Sequence, residues 1–240
     1  MLNNEEISAN LADVREKIRL AAVKSGRNPE DIKLIAVSKT NPTDAIEAAA
    51  ASGITVFGEN KVQELTEKQE TLGELNSNLE WHLIGHLQTN KVKYIVGKVA
   101  MIHSVDSLKL AEEINRQSEK HNLVSDILIE VNIADEESKF GITADNCEEI
   151  VRQIAKLSSV RIKGLMCIAP QTDNPEENRK YFVKLRQLSV DINSKNIDNV
   201  IMSELSMGMT GDYCVAIEEG ATMVRVGTGI FGKRNYNQEV

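Results

Sequence analysis

The sequence predicts an α/β fold: a single (β/α)8 barrel of the TIM type, with an extra helical segment ahead of it. Three observations predict it. Strand-like apolar runs recur eight times, at residues 33–38, 54–58, 80–84, 99–103, 126–132, 160–166, 199–203 and 222–226. Helical patterns lie between them, at 42–51, 61–72, 89–96, 107–121, 146–157, 176–192 and 211–219. Regular alternation of this kind means parallel strands with helical crossovers, and eight such strands close naturally into a barrel. The turn after the first strand, Ser38-Lys39-Thr40-Asn41-Pro42, also lacks the glycines that mark an open dinucleotide-binding sheet.

Taken in order, the first element is an amphipathic segment at 7–25, with Leu11, Val14, Ile18 and Ala22 at helical spacing. Residues 1–28 are expected to form a helical segment packed on the barrel. No Gly/Ser/Pro-rich linker divides the chain, and proline totals only 4, so residues 1–240 read as one domain. Chemistry in such a barrel sits at the carboxyl ends of the strands, and that rule ranks the candidates. Lys39 ends the first strand, Glu59 and Asn60 follow the second, and His82 and Gly85 close the third. Asn132 closes the fifth and Met166 the sixth. The stretch 206–212 follows the seventh, and Arg225 with Gly227, Thr228 and Gly229 closes the eighth.

The composition excludes several classes of function. Lys+Arg 28 against Asp+Glu 36 gives a net charge of -8, which argues against nucleic acid as a partner. No apolar stretch is long enough to span a membrane, and the acidic N-terminus lacks the apolar core of a signal peptide. Cys147, Cys167 and Cys214 are scattered without disulfide or zinc spacing, as expected in a reducing cytoplasm. His82 and His86 are four apart but straddle a strand end, so a metal site is not expected. His103 and His121 read as structural or solvated, and the run 135–139 as a solvated stretch.

Lys39 is an odd residue for the end of a buried strand. An ammonium is costly to desolvate, and a partly buried amine shifted toward neutrality can attack carbonyls. The stretch 203–212, rich in small and hydroxyl residues, and the glycine-rich stretch 226–232 stand where barrels bind phosphate, after strands seven and eight. Glycines let backbone N–H groups approach an anion, and hydroxyls add donors. Arg225 precedes the second of these loops on a strand adjacent to that of Lys39. An amine, a phosphate cup and an arginine together suit a phosphorylated aromatic aldehyde, and pyridoxal phosphate is held in this manner by other proteins.

Six ordered motifs then carry a resemblance that spans nearly the whole chain. They are Ile35-Ala36-Val37-Ser38-Lys39-Thr40, the run from Phe57 to Glu64, the run from Trp81 to Lys91, Gly164-Leu165-Met166, Ser206-Met207-Gly208-Met209, and the run from Arg225 to Gly232. The sequence resembles the pyridoxal phosphate homeostasis family, also known as the YggS/PROSC or PLP-binding protein family. One departure is Thr210, where the family pattern commonly has serine; the hydroxyl is kept. The resemblance implies a barrel similar to the N-terminal domain of alanine racemase, with pyridoxal 5'-phosphate as a Schiff base on Lys39. It implies that Ser206 and the loop Gly227-Thr228-Gly229 donate to the phosphate, with Met207 also among the cofactor-binding residues. Arg225 would face the pyridine nitrogen, Asn60 and His82 the near side of the ring, and Met166 its underside. A cap of the following helix is the other reading of Glu59 and Asn60.

The implied role is buffering or delivery of the cofactor within the cytoplasm, without robust catalysis. Apo pyridoxal phosphate-dependent enzymes would be the recipients, and a monomer is expected. The alternative is a racemase or lyase. Racemisation needs acid/base groups on both faces of the cofactor. Only Tyr94, Tyr181, Tyr213 and Tyr236 are available, none in a far-face motif, and no second domain is expected to follow the barrel.

Overall fold

The computed structural model describes residues 2–136 and 138–233. Glu137 of the charged run and Tyr236 lie outside the described residues. Nine strands form among the described residues: β1 (Lys33–Val37), β2 (Val56–Glu59), β3 (Glu80–Leu83), β4 (Met101–Val105), β5 (Ser125–Asn132), β6 (Ile142–Thr143), β7 (Val160–Met166), β8 (Val200–Met209) and β9 (Met223–Val226). The helices are α1 (Asn4–Lys24), α2 (Thr43–Ala51), α3 (Val62–Leu72), α4 (Leu108–Lys120), α5 (Ala144–Ile154), α6 (Arg179–Asn193), α7 (Tyr213–Glu218) and α8 (Thr228–Phe231). Eight strands close into a parallel barrel, with β9 pairing back onto β1 and β4 pairing onto β5. The two-residue β6 adds only to the end of β5.

Alternation along each strand builds two separate apolar regions. Side chains such as Ala36, Phe57, Trp81, Leu83, Ile102, Ile127, Ile129, Leu205, Met207, Val224 and Val226 join the core between sheet and helices. Their neighbours Ile35, Met101, Leu128, Met166 and Met223 form a second, small cluster inside the barrel. Period-two alternation is what puts successive side chains on opposite faces. The barrel interior is not filled by aliphatics alone. His82, His103 and Ser206, each 0% exposed, and Arg225, 4% exposed, share it with that cluster.

The first helix forms where the spacing predicts. A capping box opens α1, with Asn3 accepting from the Glu6 N–H and Glu6 accepting from the Asn3 N–H. Its buried stripe is Ile7, Leu11, Val14, Ile18, Ala21 and Ala22. Burial of each large aliphatic contributes roughly 1.5–3 kcal/mol, so the stripe holds α1 on the barrel more than helix propensity does. Asn10 adds a hydrogen bond to the Ile230 carbonyl at 3.0 Å, and Arg15 reaches the Ser52 and Gly53 carbonyls after α2.

Three elements differ from expectation. Residues 89–96 form no α-helix; Thr89–Tyr94 is a 3-10 helix, and Gly97 turns the chain out at φ +78. Val92, Ile95 and Val96 are buried, but Gly97 ends the run after eight residues, too few to make up for the cost of nucleating an α-helix. The seventh barrel strand does not stop at 203 but continues to Met209. Its glycine and hydroxyls look like a turn in the sequence, yet Leu205 and Met207 keep the outward parity and Ser206 points inward. Gly208, at φ +89, marks the register shift between β8 and β9. The strand expected at 99–103 lies two residues later, which places His103 inside the barrel. Close packing also explains Gly164 at φ +157: a Cβ there would lie 1.8 Å from the Glu204 carbonyl oxygen.

Candidate functional site

A cavity of about 250 Å³ opens at the carboxyl ends of the strands, lined by Val37, Lys39, Asn41, Asn60, Ile84, Ile168, Met209, Thr210, Gly211, Arg225, Gly227, Thr228, Phe231 and Gly232. Of the residues singled out in the sequence, the fold brings Lys39, Asn60, Arg225, Gly227 and Thr228 together here. β1 and β9 are paired with Ile35 opposite Arg225, which sets the lysine loop and the arginine on neighbouring strands. His82, Met166, Ser206 and Met207 do not line the cavity. Met166 lies in the small cluster inside the barrel, and Met207 packs outward under the helices. Asn60 caps nothing: the residue before α3 is Lys61, which makes no side-chain cap bond.

The backbone around Lys39 is held by a buried ionic cluster. Lys68 Nζ on α3 donates to the Ser38 carbonyl at 2.8 Å, to Glu59 Oε1 at 2.7 Å and to Glu64 Oε1 at 2.7 Å. Ser38 Oγ donates to the same Glu59 oxygen at 2.6 Å, and the Thr40 N–H donates to Glu64. Thr40 itself sits at φ +64, a left-handed conformation that a β-branched residue adopts only under constraint. Asn41 closes the turn with its N–H on the Ser38 carbonyl at 2.9 Å. Glu59 is fully buried, and its Oε2 has no hydrogen-bond partner among the described residues. Burial pushes its carboxyl above the usual range, against the pull of Lys68. Lys68 is a residue that sequence reading missed, because on a helix it resembles any solvated lysine.

Arg225 enters the cavity from its floor. Its Nη2 donates to the Cys167 carbonyl at 2.8 Å and its Nη1 donates to Ser206 Oγ. Ser206 Oγ also meets His103 Nδ1 at 2.9 Å, His103 Nε2 meets His82 Nδ1 at 2.7 Å, and His82 Nε2 meets Glu80 Oε1 at 2.7 Å. Burial holds the pKa of His82 below the ordinary value and that of His103 well below it. In the loop after β9, the N–H groups of Gly227 and Gly229 converge on Thr210 Oγ1, each at 3.3 Å. A Cβ on Gly229 would lie 2.9 Å from Val226 Cγ1, so this approach requires glycine.

Glu130 lies on β5 and is 6% exposed; burial and Asp106 push its carboxyl up to about 7, and Arg225 pulls it back only in part. A carboxyl raised from 4.5 to about 7 contributes stability that is full below the unfolded value and lost as pH rises through the folded one. Glu130→Gln is therefore expected to gain on the native protein by about 3 kcal/mol between acid and pH above 7. Urea unfolding across that range measures it, and a difference that does not change with pH would mean an ordinary carboxyl.

Comparison with known proteins agrees with this architecture. The family described as alanine racemase, N-terminal domain, matches residues 9–235. A pyridoxal phosphate homeostasis protein of Aquifex aeolicus is 47% identical over 94% of this chain and 97% of its own length. The structure of PipY from Synechococcus elongatus with PLP bound superposes with a TM-score of 0.82 at 35% identity, covering 94% of this chain and 100% of that one. An alanine racemase of Clostridium difficile shares the fold at a TM-score of 0.72 and 14% identity, covering 98% of this chain and 59% of its own. With a barrel of this type and near full-length identity to such relatives, the chain belongs to the pyridoxal phosphate homeostasis protein family.

Proposed function

We propose that the chain binds pyridoxal 5'-phosphate at the barrel mouth through a covalent link to Lys39, and that it stores or hands over this cofactor without turning over a substrate of its own. The observation that carries the reading is the meeting of an amine, a guanidinium and a converging pair of backbone N–H groups around one cavity. These residues fit the group. Thr210 Oγ1 already stands where two N–H donors converge, as a phosphate oxygen would require, with Thr228 beside it. The cofactor supplies an aldehyde that condenses with a primary amine and releases water.

Lys39 provides that amine from a loop whose backbone is already fixed. Gly227, Thr228 and Thr210 take the phosphate, and Asn60 lines the side of the ring. Arg225 faces the ring nitrogen and, because a guanidinium keeps its proton, leaves that nitrogen unprotonated. An unprotonated ring is a weaker electron sink, which fits a carrier better than a racemase. His82, Met166 and Ser206 lie in the barrel interior and support the site from within, while Met207 packs on the outer face of the sheet. The rim residues Ile168 and Met209 are 38% and 39% exposed, so an incoming amine can approach the site. Apo forms of pyridoxal phosphate-dependent enzymes are the recipients this reading calls for. Support comes from the PLP-bound PipY and from the homeostasis relatives.

The test is an absorption spectrum of the purified protein with added pyridoxal phosphate, then borohydride reduction and peptide mapping. A long-wavelength band with the reduced adduct on Lys39 is expected, together with no turnover of L- or D-amino acids. Absence of the band would sink the cofactor reading, and steady racemisation would sink the carrier reading. Arg225→Ala is expected to weaken the cofactor about tenfold, the scale of one lost hydrogen bond to a charged group, while the adduct on Lys39 still forms. Equilibrium dialysis measures the first effect and mass spectrometry the second; loss of the adduct in a folded variant would give Arg225 a different role.

A further inference from the structure

A polar chain runs through the barrel interior, where fully buried histidines occupy space usually filled by branched aliphatics. It links Arg225 at the cavity floor to Glu80 at the opposite, amino-terminal end of β3, by way of Ser206, His103 and His82. With both rings neutral, the carboxylate end dictates every proton along the chain, and the guanidinium end is compatible with the same order. A guanidinium only donates, so Ser206 Oγ accepts from Arg225 and keeps its own hydrogen available for His103 Nδ1. His103 then carries its proton on Nε2 and donates to His82 Nδ1. His82 in turn carries its proton on Nε2 and donates to Glu80. The other end makes this order the required one. Hydrogen bonds from His82 and Lys33, the latter at 2.7 Å, hold the Glu80 carboxyl down at about 2, so it is an acceptor only.

We propose that Glu80, His82, His103 and Ser206 are positioning residues, a one-directional hydrogen-bond chain that fixes the orientation of Arg225 toward the cavity. Its consequence for ligand binding rests on the cofactor reading given above. Five strands contribute: Lys33 from β1, Glu80 and His82 from β3, His103 from β4, Ser206 from β8 and Arg225 from β9, counting Lys33 as the outer partner of Glu80. One added proton would reverse the direction of every bond from His82 to Ser206, because a doubly protonated His82 donates to His103 instead. The charged groups facing the histidines oppose one another. Lys33 and Arg225 disfavour that proton, Glu80 and Glu204 favour it at His82, and burial decides against it at both rings.

The test has two readouts. Ring ¹⁵N–¹H correlation spectra of the full chain, recorded between about pH 5 and 8, are expected to show His82 and His103 as neutral rings protonated on Nε2 throughout. An Nδ1-protonated ring, or ordinary titration of either one, would overturn the chain whether or not the cofactor binds. The second readout compares His103→Leu with His103→Gln, whose amide can still donate to one neighbour and accept from the other. His103→Leu is expected to bind pyridoxal phosphate about tenfold more weakly, with the adduct on Lys39 still forming, and His103→Gln to recover most of that loss. Equal binding by both variants and the native protein would overturn the positioning role, as would equal weakening in both. If His103→Leu fails to fold, the ¹⁵N spectra still decide. Failure of the native protein itself to bind pyridoxal phosphate would count against the cofactor reading, and the ring spectra would judge the chain separately.

Discussion

A Lys39→Ala protein is expected to lose the borohydride-stable adduct and the long-wavelength band to background while remaining folded. The side chain sits half-buried just past β1, in a loop whose backbone is held by other residues. Lys68, Glu64 and Asn41 all bond to main-chain groups at positions 38–40. Removing one amine from this loop leaves those bonds in place, so the thermal midpoint should move little, as for most substitutions away from the core. The phosphate side of the cavity is also untouched, because the Gly227 and Gly229 N–H groups converge on Thr210 from a different pair of strands. Some affinity for pyridoxal phosphate should therefore survive without the covalent link, and dialysis should remove the cofactor faster than from the native protein. An adduct at full yield in this variant would place the reactive amine elsewhere and undo the central assignment.

The convergence of Lys39, Asn60, Arg225, Gly227 and Thr228 was legible in the sequence for a simple reason. Each stands at the carboxyl end of a strand, and closing a parallel barrel brings those ends to one mouth. What sequence reading could not supply is the barrel interior. His82 and His103 are 21 residues apart, and Ser206 is 103 residues beyond His103. Nothing local says that they touch, because contact depends on closure and on register, including the shift between β8 and β9. A two-residue error at β4 sufficed to leave His103 at a strand end instead of inside. The available signal was parity: Ser206 alternates with Leu205 and Met207, so an inward hydroxyl follows once the strand is carried through to Met209. The motif stretch 206–209 reads as a loop in the sequence because its residues include the small, polar ones that turns also use. Here they serve close approach within a strand, with Gly208 absorbing a bulge.

Lys68 carries the largest stability effect expected in the molecule. Lys68→Met is expected to cost about 3–5 kcal/mol, the range for removing one partner of a buried ion pair. Three observations place it in that range. Glu59 is fully buried with one oxygen already lacking a partner. Lys68 is itself 7% exposed, so water cannot take its place cheaply. The same ammonium also satisfies the Ser38 carbonyl. Glu59→Gln removes the charge while keeping an acceptor for Ser38 Oγ, so the double variant Lys68→Met/Glu59→Gln should cost much less than the sum of the two single changes. Urea unfolding of the four proteins measures the coupling. A cost for Lys68→Met below about 1 kcal/mol, as for an exposed pair, would mean that the cluster does not hold the loop. The functional consequence follows from the same geometry. With Lys68 gone, the left-handed Thr40 loses the support of its constraint through Glu64, and the loop can relax. Lys39 would then sample positions away from Arg225 and the glycine loop, so adduct formation should slow in Lys68→Met even at temperatures where the variant is fully folded.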